Sequence, residues 1–123
     1  MWEVATTDDF DAWFAELTED GRMEVIAKVN LLKLFGPMLA RPHADTLGGS
    51  KHANMKELRA NTADCVLRIA FAFDPDRSAI LLAGGDKSGV DQKRFYKQLI
   101  ARAESQYEAH LAKIEARKKK KGN

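Results

Sequence analysis

One cysteine, no apolar run near membrane length and no histidine or cysteine pair at ligand spacing limit the chemistry open to this 123-residue chain. The lone Cys65 excludes an intramolecular disulfide framework and fits a reducing compartment. No apolar stretch approaches the roughly 20 residues that span a bilayer. Met-Trp-Glu-Val at the start reads as neither a signal nor a transit peptide, so a cytoplasmic protein with no membrane contact is expected. His43, His52 and His110 stand 9 and 58 residues apart, so no metal and no other cofactor is expected. A Gly-x-Ser-x-Gly elbow is missing, which argues against Ser-His-Asp catalysis. Gly84-Gly85-Asp86-Lys87-Ser88 lies between a strand and a helix, as a phosphate-binding loop does. Asp86, however, stands where that loop needs glycine and would set a carboxylate against the phosphates.

What is present describes an ordinary globular domain. The chain is 45% hydrophobic and 31% charged, and a chain of this size buries roughly two-thirds of its unfolded surface without staples. The net charge of +2 hides an asymmetry: residues 1–50 carry −5 and residues 51–123 carry +7. Much of the basic excess is the run Arg117-Lys118-Lys119-Lys120-Lys121; without the final seven residues, the stretch 51–116 is only +2. A single domain over residues 1–116 and a basic, disordered tail over 117–123 are expected. The acidic front and basic back offer two distinct docking surfaces.

Periodicity supplies the elements. Trp2-Glu3-Val4 reads as a short strand. Thr7 is placed to cap a helix whose first turn holds Asp8, Asp9 and Asp11. Phe10, Trp13, Phe14 and Leu17 make one apolar helix face, and Asp20-Gly21 breaks it. A second helix is expected over residues 22–35, with Val25, Ile26, Val29 and Leu32 inward, ended by Gly36-Pro37. Residues 37–53 show no period and read as a long loop. Strands are then expected over residues 54–60, 65–73 and 79–83. Asp74-Pro75-Asp76-Arg77 makes the turn of a hairpin, and Gly84-Gly85-Asp86-Lys87-Ser88-Gly89 a further loop. Behind a cap at Asp91, Tyr96, Ile100, Ala103, Tyr107, Leu111 and Ile114 mark one face of a last helix that frays into the lysines. The order β-α-α-β-β-β-α gives an α+β fold: an N-terminal helical hairpin and a C-terminal helix against one face of a small antiparallel sheet.

The strand alternation sets Lys56 and Leu58 on one face and Glu57 and Arg59 on the other. It sets Arg68 opposite Leu67, Ile69 and Phe71, beside the small Ala70 and Ala72. If the strands are neighbours, Arg59, Arg68 and Lys87 share one rim. Such a ring of cations suits a nucleic-acid backbone or a phosphorane-like transition state. Pairing of each arginine with a carboxylate such as Glu57 is the structural alternative. Phe10, Trp13 and Phe14 are at core spacing. Tyr96 and Tyr107 are either core or available to a base, and His110 flanks the same helix face as a further acid–base candidate.

A family resemblance rests on several blocks in order. They are Phe10-Asp11-Ala12-Trp13-Phe14, Gly36-Pro37, Arg41-Pro42, Asp45-Thr46-Leu47 and Asn54-Met55-Lys56-Glu57-Leu58-Arg59. Next come Arg68-Ile69-Ala70-Phe71-Ala72-Phe73-Asp74-Pro75, Ala79-Ile80-Leu81-Leu82-Ala83-Gly84-Gly85-Asp86-Lys87-Ser88-Gly89 and Tyr107-Glu108-Ala109-His110-Leu111. Over about residues 2–112 the chain resembles the phage-derived, HigB-like branch of the RelE/ParE toxin superfamily. The resemblance implies a compact α+β toxin of a type II toxin–antitoxin pair, most simply a ribosome-dependent mRNA endoribonuclease. A ParE-like inhibitor of DNA gyrase and an inactive regulatory homologue stay open. It implies a helix-turn-helix, HigA-like antitoxin as partner, mRNA on the ribosome as substrate, and contact with operator DNA only through the antitoxin. Carried over by position, Arg59 and Arg68 match the sheet arginines of RelE-like nucleases, Lys87 the basic residue after the last strand, and Tyr96 is the nearest counterpart of the active-site aromatic; Arg68 and Lys87 are assigned to phosphate stabilisation. Arg59, Lys56 and His110 are RNA-binding candidates, and Asp86 is read as orienting Lys87.

Overall fold

Thr7 does two jobs at the start of the chain. In the computed structural model, which describes residues 1–121, a strand β1 (Val4–Thr6) leads into helix α1 (Asp8–Ala15). Thr7 Oγ1 accepts from Phe10 N at 3.1 Å as the helix cap and donates to the Leu82 carbonyl at 2.8 Å. Helix α2 (Glu19–Phe35) begins earlier than the sequence pattern indicates. Thr18 caps it by accepting from Gly21 N, so Asp20 and Gly21 lie in the first turn rather than in a break. Acidic residues there favour the helix dipole, and Gly21 is buried. At the other end Gly36 takes a positive φ of 53°, a conformation natural to glycine, and passes into a 3₁₀ turn (Gly36–Met38) through Pro37.

The expected loop over residues 37–53 hides an edge strand, β2 (Ala44–Thr46), after a cis Arg41–Pro42 bond. Three longer strands come after it: β3 (Lys56–Asn61), β4 (Val66–Phe73) and β5 (Ala79–Asp86). The sheet order is β1-β5-β4-β3-β2. All pairs are antiparallel except β1, which runs parallel to β5. The last helix, α3 (Gln92–Lys121), starts where Asp91 accepts from Arg94 N at 2.8 Å. It stays helical through the basic run to Lys121, which corrects the expectation of a disordered tail from residue 117; residues 122 and 123 lie outside the described residues. No helix among the described residues is long and apolar enough to cross a membrane.

Helices cover both faces of the sheet, not one. Phe10, Val25 and Leu32 from α1 and α2 pack on Leu58, Ala60, Leu67, Ile69, Phe71 and Leu81. On the opposite face Leu99, Ala103 and Tyr107 of α3 pack on Met55, Ala70, Ala72, Ile80, Leu82 and Ala83. Two separate cores therefore share one sheet, and the central strands β4 and β5 are buried on both sides. Ile26, expected inward, is instead half exposed at the flank of α2.

A bulge on β5 resets the facing of every residue beyond it. Ala70 pairs with Ala83 but Phe71 pairs with Leu81, so Leu82 is the extra residue. Leu82 and Ala83 consequently both face the α3 core. The inward–outward phase is reversed for the rest of the strand. Gly84 then lies under the Trp13 ring on the α1 side, and Gly85 under the Phe95 ring on the α3 side. The two glycines are strand residues rather than a loop because two aromatic rings lie directly on the backbone. A β-carbon at Gly84 would overlap Trp13. Gly84→Ala is expected to cost about 1–3 kcal/mol in thermal or urea unfolding. Gly48→Ala, where a β-carbon meets nothing within 4 Å, is the near-neutral control.

Beyond Thr6, β1 no longer covers β5. The exposed carbonyls there are taken by side chains: Leu82 by Thr7, and Gly84 by Arg102 Nη1 at 3.2 Å. Arg102 also pairs with Asp9 at 3.1 Å, which ties α3 to α1 around the sheet edge.

Candidate active site

The α3-facing side of the sheet carries a polar cluster between the first turns of α3 and the ends of β3, β4 and β5. Strand alternation puts Glu57 and Arg59 on this side of β3 and Arg68 on this side of β4. Arg59 and Arg68 are direct cross-strand partners, a placement that like charges disfavour unless a carboxylate intervenes. Glu57 supplies it. Its Oε2 accepts from Arg59 Nε and Nη2 at 3.2 and 3.1 Å, and its Oε1 lies 3.8 Å from Arg68 Nε. Asp45 of β2 takes a second bond from Arg59 Nη2 at 3.3 Å.

Arg68 is far more enclosed than the small neighbours Ala70 and Ala72 indicate. Its side chain is 8% exposed and that of Glu57 is 6% exposed. Arg68 Nη1 donates to Asn61 Oδ1 and to the Leu67 carbonyl, both at 2.8 Å. Its buried Nε has no hydrogen-bond acceptor. Expected open space is filled by α3, whose Tyr96 hydroxyl donates to Glu57 Oε1 at 2.7 Å.

Lys87 completes the group. Its backbone N–H still donates to the Val66 carbonyl, so the strand phase carries through it. The bulge at Leu82 thus turns Lys87 to the same side as Arg68. Its Nζ stands 3.5 Å from the Tyr96 hydroxyl and 5.4 Å from the ring centroid. Burial lowers the Lys87 pKa, and the charges of Arg68 and Arg59 lower it further against the pull of Glu57. Burial raises the Tyr96 pKa, and its bond to Glu57 raises it further. Tyr96 therefore holds its proton through the neutral range. Asp86 does not orient Lys87: its Oδ1 accepts from Val66 N, Ser88 N and Ser88 Oγ, closing the β5 end and the adjoining turn.

Arg59, Arg68, Lys87 and Tyr96 are thus brought together, and two other candidates are not. Lys56 lies on the other face of β3, beside a surface pocket lined by Leu39, Ala40, Arg41 and Asp45. His110 sits at the far end of β4, where Nε2 meets the buried Asp74 at 2.8 Å. Tyr107 beside it donates to the Phe73 carbonyl. Those two bonds fasten α3 to the β4–β5 turn, a structural use for both residues. The group the sequence undervalued is Glu57, the hub of the cluster. Its signal was there: a carboxylate two residues before Arg59 on one strand face, opposite a strand carrying a second arginine on that face.

Three comparisons bear on this arrangement. A model of the phage-derived Gp49-like protein family matches residues 12–108. A Mycobacterium tuberculosis protein named as toxin HigB3 is 45% identical over 102 residues, covering 83% of this chain and 87% of the relative. A second, named as toxin HigB2, is 40% identical over 125 residues; the match covers 97% of this chain but 62% of that longer protein. Among solved structures, an arginine-substituted mutant of the Escherichia coli toxin RelE in the free state matches with a TM-score of 0.59 at 8% identity. That match covers 81% of this chain and 94% of the other. An archaeal RelE of a RelE–RelB complex from Pyrococcus horikoshii matches with a TM-score of 0.54 at 12% identity, covering 72% and 98%. At such identities the structural matches establish the RelE-like fold.

Proposed function

Because the chain belongs to the phage-derived Gp49-like family and is a HigB-like member of the RelE superfamily, we propose that it halts translation by cutting mRNA on the ribosome. It is a toxin of a toxin–antitoxin pair, and its activity class is that of an endoribonuclease. One observation carries the site assignment: three cations, Arg59, Arg68 and Lys87, converge on one side of the sheet around a single shared carboxylate, with a tyrosine hydroxyl between them.

The chemistry asks for little else. The ribose 2′-hydroxyl gives up its proton to solvent water and attacks the adjacent phosphorus in line; the P–O5′ bond breaks, the 5′-oxygen leaves with a proton, and a 2′,3′-cyclic phosphate remains. Charge grows on the non-bridging oxygens during that step, and a well-placed donor stabilises it by about 3 kcal/mol. Arg68 and Lys87 are assigned to those oxygens. Arg59, more exposed than Arg68, positions the backbone. Tyr96, which keeps its proton, donates to the leaving oxygen or stacks on a base. The toxin domain is assigned to residues 1–116.

An antitoxin is the partner of such a toxin; a helix-turn-helix, HigA-like protein that alone touches operator DNA is the proposed form. The proposed site of action is the cytoplasm. The test is induction and then mapping of RNA 5′ ends. Early loss of translation with mRNA cut at defined codons supports the reading. Intact mRNA with arrested replication and DNA breaks replaces it with gyrase inhibition, and unimpaired growth points to an inactive homologue.

A further inference from the structure

Asn61 adds a neutral carboxamide to the charged strand side chains of the cationic cluster. It is the last residue of β3. Leu58 and Ala60 face the α1–α2 core, so Glu57, Arg59 and Asn61 lie on the opposite face of the strand, with Arg68. Glu57 is buried and Arg59 half-buried, whereas Asn61 is exposed, where the cluster opens to solvent. Arg68 fixes which way the carboxamide points. A guanidinium only donates, so Asn61 Oδ1 accepts from Arg68 Nη1 at 2.8 Å and the amide nitrogen is turned outward. Among the described residues Nδ2 has no hydrogen-bond acceptor. The backbone that follows is braced: Thr62 N donates to the Cys65 carbonyl at 2.9 Å, and Thr62 Oγ1 accepts from Asp64 N and Cys65 N. Two N–H donors are thereby held in place beside the arginine assigned to the scissile phosphate.

A base suits those donors better than a further phosphate does. Asp64 is exposed on the adjoining turn, and Asp86 accepts from the N–H of Val66, the register partner of Asn61. Carboxylates at this end of the strands disfavour a second phosphate there. Arg59, Arg68 and Lys87 hold the backbone whatever the sequence, and contacts to base edges are what distinguish one sequence from another. Unstacked RNA bases present those edges to side-chain amides. Because Oδ1 is committed to Arg68, Asn61 offers donors alone. It matches a base whose exocyclic group is a carbonyl, guanine O6 or uracil O4. At adenine or cytosine the exocyclic amino group is itself a donor, and donor would face donor.

We propose that Asn61 reads the base beside the scissile phosphate and selects guanine or uracil over adenine or cytosine. This rests on the endoribonuclease reading of the site, to which it adds the side chain that gives cleavage a sequence preference. The test induces wild type, Asn61→Ala and Asn61→Asp and maps RNA 5′ ends, with cuts corrected for base frequency in the transcripts. Asn61 is exposed and Arg68 keeps its bond to the Leu67 carbonyl, so both variants are expected to fold, as circular dichroism would show. Wild type is expected to favour guanine or uracil at one position flanking the cut by at least fivefold. Asn61→Ala is expected to lose that preference, its cuts spreading over all four bases. Asn61→Asp keeps an acceptor for Arg68 but turns an acceptor oxygen outward, so its preference is expected to move to adenine or cytosine. A residue that only holds Arg68 behaves differently: alanine slows every site alike, and aspartate restores the wild-type pattern. That result overturns base reading, as does a wild-type pattern with no preference beside the cut. Wild-type protein that cuts no RNA overturns the endoribonuclease reading, and this assignment with it.

Discussion

Replacing Arg68 by alanine is expected to slow mRNA cleavage on the ribosome by roughly a hundredfold and to abolish growth arrest. That magnitude is what one buried, pre-aligned donor contributes to a charged transition state. Arg68 is also built into the sheet, so the substitution costs stability as well. Asn61 and the Leu67 carbonyl lose their donor, for about 1–3 kcal/mol. Glu57 keeps Arg59 and Tyr96, so the fold survives. Circular dichroism and a thermal midpoint establish that the variant is folded, and cleavage is then read on folded protein. Arg68→Lys restores charge but not the forked donors, and is expected to recover little activity. A folded Arg68→Ala protein that cuts mRNA at the wild-type rate removes Arg68 from the mechanism.

The largest effect on stability is expected at Glu57. Glu57→Ala leaves Arg59, Arg68 and Lys87 facing one another with only Asp45, at the far side of Arg59, to offset them. Unpaired charge in a buried site costs about 3–5 kcal/mol, a large share of the ~5–15 kcal/mol that holds a domain together. Glu57→Gln is expected to cost less, since its amide oxygen still accepts from Tyr96. Inorganic phosphate separates a lost packing contact from uncompensated charge. In Glu57→Ala, phosphate occupying the vacated position is expected to raise the thermal midpoint well beyond its effect on wild type. Equal midpoints for wild type and Glu57→Ala refute the hub role of Glu57.

Local grammar was legible and long-range packing was not. Thr7 reads as a cap because its partner, Phe10 N, is three residues away. The faces of β3 and β4 read correctly because alternation is a property of neighbours. Gly84-Gly85 misreads as a loop because the reason for both glycines lies in rings contributed by Trp13 and Phe95. Asp20-Gly21 misreads as a break because the Thr18 cap reverses its meaning. Ile26 and His110 sit at helical spacing for a buried or catalytic role, yet one borders a groove and the other pairs with Asp74. Lys87 is the instructive case. Simple alternation from Leu81 would aim it toward the α1–α2 side, away from Arg68. One inserted residue at Leu82 reverses that, and nothing in a period-two pattern announces an insertion.

The side chains closing the free flank of β5 also govern how this molecule meets other polypeptides. A bare strand edge is a template onto which foreign chains can zip, whether a partner's extended segment or an aggregating copy. Thr7 and Arg102 already occupy the Leu82 and Gly84 carbonyls that an added strand would need, and the Arg102–Asp9 bridge fixes the guanidinium across the opening. Strand addition along this stretch would first have to break those bonds. This stretch of β5 is thereby guarded against templated growth, and contact along it falls to side chains.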